Sequence, residues 1–388
     1  MKVIDRKLLS HLDWVTVIIV LALFSIGIIS IASIMASPFT GTEQTLSDYM
    51  QRLNLEYVER QLVNFAVGLA GLIILLVMDY HMLKSFTKPL YIGIVGVLFV
   101  LVALGKTSRG VAGWFILDSI DRAIQPGELT KVILIVVFAK VIAAAIERDG
   151  KLLRFVDILK ILGLCLLPTA LVFYQPDFGT GFVFICIMVG VLFVSGISWK
   201  YIAATVVAGG ALAPLAYMFL LDDSQKARIQ VFLNPEMDPL GKGYHVIQSK
   251  LFIGSGQFAG RGLFSESTLA QLKYIPERHT DFIFSGMVEA MGFIGGAAVI
   301  ILFFALLIRW FYVAGKSDDA FGMCLVAGAA SMILAHVFEN IGMTMGLMPV
   351  TGIPLPFISY GGSNLLTSLL CVGLVLNVYM RRTVSKYR

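Results

Sequence analysis

A polar segment meets a hydrophobic one at residues 276–284, which read Pro-Glu-Arg-His-Thr-Asp-Phe-Ile-Phe. The stretch before the junction, 222–281, is rich in Gly, Gln, Lys and Arg, whereas 282–311 is apolar and long enough to cross a bilayer. Asp281 lies at the junction, so its carboxylate would stand at a membrane surface with basic residues on its approach side. The structural alternative is a helix N-cap, because Thr280 or Asp281 could accept hydrogen bonds from the exposed N–H groups of the helix that follows.

A second group of residues that could do chemistry opens another predicted helix. Gln-Pro-Gly-Glu at 125–128 is typical of a helix start, with Pro in the first turn and Glu128 favoured by the helix dipole. Lys131 lies three residues on and shares a helix face with Glu128, so the two could form an ion pair or bind a ligand. Upstream, Arg109 and Trp114 could offer a cation and a stacking surface, or serve as interfacial anchors.

Two more polar groups interrupt apolar sequence. Asp177 lies in a very short turn between two hydrophobic runs, where a carboxylate needs a cation or hydrogen-bond donors. His336, Glu339 and Asn340 share one face of a later hydrophobic run through their i, i+3, i+4 spacing. Metal binding would need more ligands than this spacing supplies, so we expect these three side chains to form hydrogen bonds between helices.

The composition places these residues in a membrane protein. Hydrophobic residues make up 58% of the 388-residue chain and charged residues 14%, against roughly 45–50% and 25% in soluble domains. We therefore predict an all-α polytopic membrane protein in which residues 1–388 form one integral membrane domain. The four cysteines lie in apolar runs without CxxC spacing, which favours packing roles over disulfides or a zinc site. Ten apolar runs have about the length that spans the hydrocarbon core, and these are 14–35, 61–79, 88–105, 128–147, 156–174, 178–197, 200–221, 282–311, 320–346 and 356–380.

Lys and Arg in the short connections predict which ends of the spans face the cytoplasm. With the N-terminus inside, every cytoplasmic connection carries at least one Lys or Arg, so both termini are expected to be cytoplasmic. Glycines at 241, 243, 254 and 256 break the helical pattern of the longest outer loop, and such backbone suits close approach to a ligand. The segments that this arrangement gathers on the outer face are 106–127, the turn at 175–177, the large extracytoplasmic loop 222–281 between spans seven and eight, and 347–356.

Four motifs carry a resemblance to a known family. They are Gln-Pro-Asp-Phe-Gly-Thr at 175–180, Arg-x-x-x-Phe-Leu-x-Pro at 228–235, the 276–284 segment followed by Glu289, and Pro-Val-Thr-Gly-Ile-Pro-Leu-Pro-Phe-Ile-Ser-Tyr-Gly-Gly-Ser at 349–363. Together they resemble the SEDS family (shape, elongation, division and sporulation) over essentially the whole chain. His-Leu-Asp-Trp at 11–14 and Ile-Pro-Leu-Pro at 353–356 are more similar to the elongation branch, RodA, than to the division branch, FtsW. Two positions depart from the family pattern, with Gly127 in place of Ser and His245 in place of Gln.

The resemblance implies a glycosyltransferase that polymerises lipid II, a disaccharide-pentapeptide on undecaprenyl pyrophosphate, at the outer face of the bacterial cytoplasmic membrane. It implies Asp281 as the general base that deprotonates the acceptor sugar, with Asp177 as the reserve candidate, while outer cations stabilise the departing pyrophosphate. The sequence demands no metal, although a divalent cation, Mg²⁺ or Mn²⁺, held by Asp177 or Glu128 stays open. The residues expected to contact substrate are Arg109, Trp114, Glu128, Lys131, Asp177, Arg228, Gln248, Arg278, His279, Thr280, Glu289, Ser359 and Ser363.

The resemblance also implies partners in the membrane. These are a class B penicillin-binding protein, which is the transpeptidase that cross-links new glycan, and other membrane proteins of an elongation complex, whereas no nucleic acid is expected. Gly292, Gly295, Gly296 and Gly328 could offer close-approach surfaces for the transmembrane helix of the partner, or could pack within the bundle.

Two other classes of protein stay open. A lipid II flippase or other secondary transporter would also have many spans with Pro-interrupted helices, but it should hold its ionisable groups near the bilayer midplane. Here these groups gather at the predicted outer edge, which favours an enzyme. A non-catalytic scaffold, the third interpretation, predicts that Asp281 is dispensable.

Overall fold

The chain folds as a bundle of helices with one small sheet. The computed structural model describes residues 11–37, 52–104, 106–108, 111–117, 122–150, 154–197, 223–239, 241–265, 268–270, 275, 277–385 and single positions between 200 and 219. The helices are α1 (Trp14–Met35), α2 (Leu55–Val77), α3 (Leu83–Leu104), α4 (Pro126–Asp149), α5 (Phe155–Tyr174), α6 (Phe178–Val194), α7 (Asp223–Leu233), α8 (Lys242–Gly256), α9 (Ile283–Gly315), α10 (Ala320–Thr344) and α11 (Gly362–Ser385). Three short antiparallel strands form a sheet in the order β1 (Lys106–Ser108), β2 (Val111–Leu117) and β3 (Arg122–Ile124).

The helices confirm the prediction of an all-α polytopic membrane protein. Among the described residues, eight helices are long and apolar enough to cross a membrane, and α6 is a shorter apolar helix of 17 residues. These nine helices match nine of the ten predicted spans within about six residues at each end. The tenth predicted span, 200–221, lies mainly outside the described residues, although the positions described there are helical. Helix α11 starts later than predicted because Phe357 has a left-handed backbone, with φ 64°, that a helix cannot accommodate.

Helix α10 is the centre of the bundle. It packs against α4, α6, α9 and α11, and nearly all of its side chains are buried. Helices α2 and α3, in contrast, expose most of their apolar side chains, as expected of helices that face lipid. Three of the four cysteines are buried and Cys186 is half-buried, which fits the packing roles expected of them.

Gly292 divides α9 into two parts. Its backbone, with φ 68° and ψ −169°, is not helical, and a Cβ at this position would lie 2.5 Å from the carbonyl oxygen of Phe258. Four backbone hydrogen bonds to the loop 257–262 replace the helical bonds that are broken here. The loop therefore holds both parts of the helix at the kink, through the carbonyls of Glu289 and Ala290 and the N–H groups of Phe293 and Ile294.

The glycines expected at a partner surface mostly pack within the chain. Gly292 lies at the kink, and a Cβ at Gly328 would lie 2.9 Å from Ile135 on α4 and 3.1 Å from Val191 on α6. Gly296 is also buried. The alternative of packing within the bundle is therefore favoured for these three glycines, and at Gly292 and Gly328 the missing side chain allows a loop or other helices of the same chain to approach closely.

Charged and amide side chains tie the helix ends together at the end of the bundle predicted to be cytoplasmic. Arg309 makes a bidentate contact with Asp13 at N–O distances of 2.9 to 3.1 Å, and it also donates to the hydroxyl of Tyr379 at 3.2 Å. Asn377 donates to the carbonyl of Met78 at 2.8 Å. These pairs hold α1, α9 and α11 together, and α11 against the end of α2.

Candidate active site

The carbonyl groups of residues 279–281 each accept one hydrogen bond from a distant part of the chain. The donors are, in order, the backbone N–H of Tyr360 at 3.0 Å, the hydroxyl of Ser359 at 2.7 Å and the side-chain amide of Asn340 at 2.8 Å. The α10–α11 loop, residues 345–361, therefore contacts residues 279–281. Both segments were predicted to lie on the outer face. These three hydrogen bonds, here called the clamp, hold the backbone of Asp281 in place.

Gln61 extends this clamp to α2. The fully buried side chain donates to the carbonyl of Ser359 at 3.0 Å and accepts from the backbone N–H of Gly361 at 3.2 Å. The sequence analysis missed Gln61, although a polar side chain inside an apolar span is itself a sign of a structural or functional contact. The loop that holds Asp281 is thus held in turn by α2.

The carboxylate of Asp281 lies at the edge of the clamp. Its side chain is half-buried, and a Cβ placed on Gly352 would lie 3.4 Å from its Oδ2, so the carboxylate faces the α10–α11 loop. Helix α9 has Phe282 in its cap position and no side-chain cap. The N-cap interpretation of Asp281 is therefore not supported, and the hydroxyl of Thr280 instead donates to the carboxylate of Glu277 at 2.9 Å.

A buried chain of polar groups runs from α4 to the α10–α11 loop. Lys131 is 0% exposed, and its Nζ lies 2.6 Å from Oε1 of Glu128 and 2.8 Å from Nε2 of His336. Because the ammonium group can only donate, Nε2 is assigned as the acceptor, and Nδ1–H then donates to the carbonyl of Pro354 at 3.1 Å. The predicted Glu128–Lys131 ion pair is present, and its burial argues against contact between Lys131 and a pyrophosphate.

The polar face of α10 forms contacts mainly to the loop, whereas hydrogen bonds between helices were expected, and His336 makes such a contact to Lys131 on α4. His336 binds the carbonyl of Pro354, and Asn340 donates to the carbonyl of Ile353 at 2.8 Å as well as to Asp281. Glu339 is buried on the same face. These contacts place the loop at a fixed position over the end of the central helix.

Asp177 connects the start of α4 to the start of α6. Its Oδ2 accepts from the side-chain amide of Gln125 at 2.7 Å, and its Oδ1 caps α6 by accepting from the N–H of Thr180 at 3.1 Å. The backbone N–H of Gln125 donates to the hydroxyl of Ser363 at 3.2 Å. The donors expected for Asp177 are therefore present. Because both of its oxygens accept hydrogen bonds, this carboxylate is poorly placed to act as a base or a metal ligand.

Within the part of the chain that the structure describes, no group of three or more His, Cys, Asp or Glu residues could hold a metal ion.

Arg278 and Glu289, both expected to contact substrate, have structural partners. Arg278 is 6% exposed, and it donates to the carbonyl of Ile34 at 3.4 Å near the C-terminal end of α1, where a cation is favoured. Burial lowers the pKa of Arg278 below its ordinary value. Glu289 accepts from the backbone N–H groups of Leu269 at 2.7 Å and Ala270 at 2.9 Å. These contacts disfavour the predicted roles in substrate binding.

Two histidines lie beside the candidate base. The ring centroids of His279 and Tyr57 lie 4.9 Å apart, and that of His245, on α8, lies 5.9 Å from the ring of Phe282. Burial lowers the pKa of His245 below its ordinary value, although the negative charge of Glu277 opposes this shift. We therefore expect a neutral imidazole at position 245 at neutral pH.

The remaining predicted contacts lie on other elements. Arg228 is half-buried on α7, and Gln248 is half-buried on α8. Trp114 is half-buried on β2, opposite Lys106 on β1, in a sheet that the sequence analysis did not predict. Arg109 lies outside the described residues.

Comparisons with known proteins agree with this architecture. A model of the FtsW/RodA/SpoVE family, described as cell cycle protein, matches residues 13–384. The peptidoglycan glycosyltransferase MrdB of Escherichia coli K12 is 35% identical over 325 residues, which are 84% of this chain and 86% of that protein. Stage V sporulation protein E of Bacillus subtilis 168 is 34% identical over 370 residues, which are 94% of this chain and 96% of that protein.

Solved structures share the fold over almost the whole chain. A structure described as a peptidoglycan synthase complex that coordinates polymerization and crosslinking matches with a TM-score of 0.78 and 28% identity, covering 96% of this chain and 98% of that chain. The rod shape determining protein RodA of Thermus thermophilus matches with a TM-score of 0.67 and 26% identity, covering 96% and 97%. The predicted resemblance is confirmed, and the chain belongs to the FtsW/RodA/SpoVE family of multi-pass membrane proteins.

Proposed function

We propose that this chain is a peptidoglycan glycosyltransferase of the elongation type, which polymerises lipid II at the outer face of the bacterial cytoplasmic membrane. Relatives that bear the name peptidoglycan glycosyltransferase, MrdB and RodA among them, support the reaction class. The observation that carries the proposal is the clamp at 279–281, which fixes the half-buried Asp281 at the end of the bundle where all the predicted outer segments meet.

The chemistry of glycan growth fits a carboxylate in this position. The acceptor hydroxyl must lose a proton, and the pyrophosphate that leaves must have its charge stabilised. Asp281 is the base in this proposal, and a well-placed base contributes typically about 10²–10⁴ in rate. Lys131 and Arg278 are buried with partners inside the protein, so the half-buried Arg228 is the better candidate for the leaving group.

A transpeptidase of the class B penicillin-binding type is the partner that we propose. The support is the similarity to a synthase complex whose description joins polymerization with crosslinking. Such a partner would cross-link the strands that this chain makes, and it should raise polymerisation when both proteins are present.

The test is polymerisation of labelled lipid II by the purified protein, alone and with a cognate transpeptidase. We expect Asp281→Asn to slow glycan formation at least about a hundredfold with lipid II binding unchanged. Glu277→Gln, which removes a nearby carboxylate but keeps an acceptor oxygen, is the matched control and should form glycan.

Three outcomes would redirect the proposal. Loss of glycan with Asp177→Asn but not with Asp281→Asn would move the role of base to Asp177. Unchanged synthesis in both variants would remove the carboxylate mechanism. If the wild type forms no glycan even with the partner, but moves lipid II across vesicle membranes, the chain is the flippase of the alternative interpretation.

A further inference from the structure

Glu339 is a buried carboxyl group on the polar face of α10. Its side chain is 1% exposed, and among the described residues neither of its oxygens has a hydrogen-bonding partner. His336 and Asn340, on the same face, both form hydrogen bonds. An ionised carboxylate without donors is strongly unfavourable inside a protein that spans a membrane. Glu339 therefore needs a counter-charge or a proton.

The buried charges around Glu339 do not balance. Glu128, Asp177 and Glu339 are all buried carboxyl groups, and Lys131 is the buried cation that interacts with Glu339. The ammonium group of Lys131 is already engaged by Glu128 at 2.6 Å and by His336 at 2.8 Å. His336 accepts through Nε2 and donates through Nδ1, so its imidazole is neutral and adds no charge. If all three carboxyl groups were ionised, three negative charges would face one positive charge in this part of the bundle.

A proton on Glu339 reduces this imbalance. Asp177 accepts two hydrogen bonds, from the side-chain amide of Gln125 and from the N–H of Thr180, and Glu128 forms an ion pair. Contacts of both kinds favour the ionised form of a carboxyl group. Glu339 has neither kind of contact within the described residues, so it is the carboxyl group of the three that burial leaves protonated.

The hydroxyl of Thr351 is placed to accept a hydrogen bond from that proton. It lies beside the carboxyl group of Glu339, and it donates its own hydrogen to Sδ of Met343 at 4.0 Å. Its oxygen lone pairs are therefore available to a donor. A protonated Glu339 can donate to them, whereas a carboxylate can only accept.

Thr351 belongs to the part of the α10–α11 loop that lies next to the candidate base. Gly352, the following residue, faces Oδ2 of Asp281. Thr351 also lies against the start of α6, since a Cβ at Gly179 would lie 3.1 Å from the Cβ of Thr351. A hydrogen bond from Glu339 to Thr351 therefore fixes this segment of the loop to α10, one residue before its contact with Asp281.

We infer that Glu339 is protonated in the folded protein and acts as a positioning residue, donating a hydrogen bond to Thr351 that holds the α10–α11 loop beside Asp281. The proton stays on Glu339 throughout the reaction, since the acceptor hydroxyl gives its proton to Asp281 in the proposed mechanism. The effect on catalysis rests on the proposed function, whereas the proton and the hydrogen bond do not.

Infrared spectroscopy of the purified full chain in lipid nanodiscs tests the proton without turnover. A neutral carboxylic acid and a carboxylate absorb in separate bands, so the difference between the spectra of the wild type and Glu339→Gln at neutral pH should contain the band of a carboxylic acid. Glu339→Gln is the matched variant, because its amide keeps a donor for Thr351 but cannot ionise. A difference spectrum that contains only carboxylate bands would overturn the inference.

Glycan synthesis from labelled lipid II tests the positioning role. We expect Glu339→Leu, which has no donor, to lower the rate about tenfold while the affinity for lipid II changes less than about twofold. Glu339→Gln should keep the wild-type rate within about twofold, since its amide can still donate. Ser331→Ala is the control, because Ser331 is another buried polar residue of α10 but donates within its own helix, and it should match the wild type.

A double variant tests whether Thr351 is the acceptor. Thr351→Val removes the hydroxyl at nearly constant size, and in this background Glu339→Leu should cause little further loss, because both changes break the same hydrogen bond. Additive losses, or equal losses in Glu339→Leu and Glu339→Gln, would overturn the inference.

Hydrogen exchange separates this inference from the proposed function. The backbone N–H of Tyr360, in the same loop, donates to the carbonyl of His279, and its exchange should accelerate at least about tenfold in Glu339→Leu but not in Glu339→Gln. The carboxylic acid band together with this acceleration, in a protein that forms no glycan, would keep the hydrogen bond and remove the proposed function. Unchanged exchange and unchanged glycan synthesis in Glu339→Leu would overturn the positioning role.

Discussion

Asn340 holds Asp281 by its backbone, because its side-chain amide donates a hydrogen bond of 2.8 Å to the carbonyl of that residue and another of 2.8 Å to the carbonyl of Ile353. Asn340 belongs to α10, the central helix that packs against α4, α6, α9 and α11. The peptide that carries the proposed base is therefore fixed to the centre of the bundle. Such fixing matters because a displacement of about 1 Å in a catalytic group can cost a hundredfold in rate.

Replacing Asn340 should impair catalysis more than binding. We expect Asn340→Ala to lower the rate of glycan synthesis about ten- to a hundredfold, since the carbonyls of Asp281 and Ile353 lose a shared donor. The apparent affinity for lipid II should change less than about twofold. Asn377→Ala is the control, because Asn377 also donates to a backbone carbonyl in the bundle, but at the opposite end. Equal rates for the two variants at matched thermal stability would contradict the role of Asn340.

Breaking the buried ion pair between Lys131 and Glu128 should lower the stability of the fold, and removing both charges should restore most of it. Lys131→Met leaves the carboxylate of Glu128 buried without its cation, and such a change typically costs about 3–5 kcal/mol. The double variant Lys131→Met with Glu128→Gln removes both charges and should recover most of the loss. Thermal unfolding in detergent measures both values. A fully stable single variant would contradict a structural role for this ion pair.

The carboxylate of Glu289 should hold the 268–270 segment in its folded conformation. In Glu289→Gln one carboxylate oxygen becomes an NH₂ group, so only one of the backbone N–H groups of Leu269 and Ala270 keeps its acceptor. Hydrogen exchange at the amide that loses its acceptor should accelerate at least about tenfold, and more than at the amide that keeps one. The amides of Arg261 and Gly262, which donate to backbone carbonyls of α9, form an internal control that should keep its protection. Uniform acceleration at all four amides would indicate general unfolding.

His245 should make the fold sensitive to mild acid. Its pKa is lowered from 6.5 by burial, so the unfolded chain binds this proton more readily than the folded one. The stabilisation from a neutral His245 is therefore complete above the unfolded pKa and is lost as the pH falls below about 6.5. Between pH 7.5 and 5.5 the melting temperature of the wild type should fall more than that of His245→Gln. Parallel curves would contradict a buried neutral imidazole at this position.

The sequence predicted those features whose physical cause lies in a local pattern of residues. Hydrophobic length predicted the spans, and the i, i+3 spacing of Glu128 and Lys131 predicted their ion pair. The sequence could not predict that Lys131 is buried, because one of its contacts is His336 on another helix. The sequence could not predict the donors to residues 279–281 either, since Ser359 lies 79 positions away from its acceptor in the chain. Contacts of this kind depend on which helices become neighbours.

The kink at Gly292 divides a helix that is longer than the hydrocarbon core of a bilayer is thick. Helix α9 has 33 residues, a length of about 50 Å, whereas the hydrocarbon core is about 30 Å thick. Two of the four hydrogen bonds to the 257–262 loop are accepted by carbonyls before the kink and two are donated by Phe293 and Ile294 after it, so the loop holds both parts of the helix at the kink. We therefore expect mismatch with a thinner or thicker bilayer to be accommodated along 295–315, on the far side of the kink from Asp281.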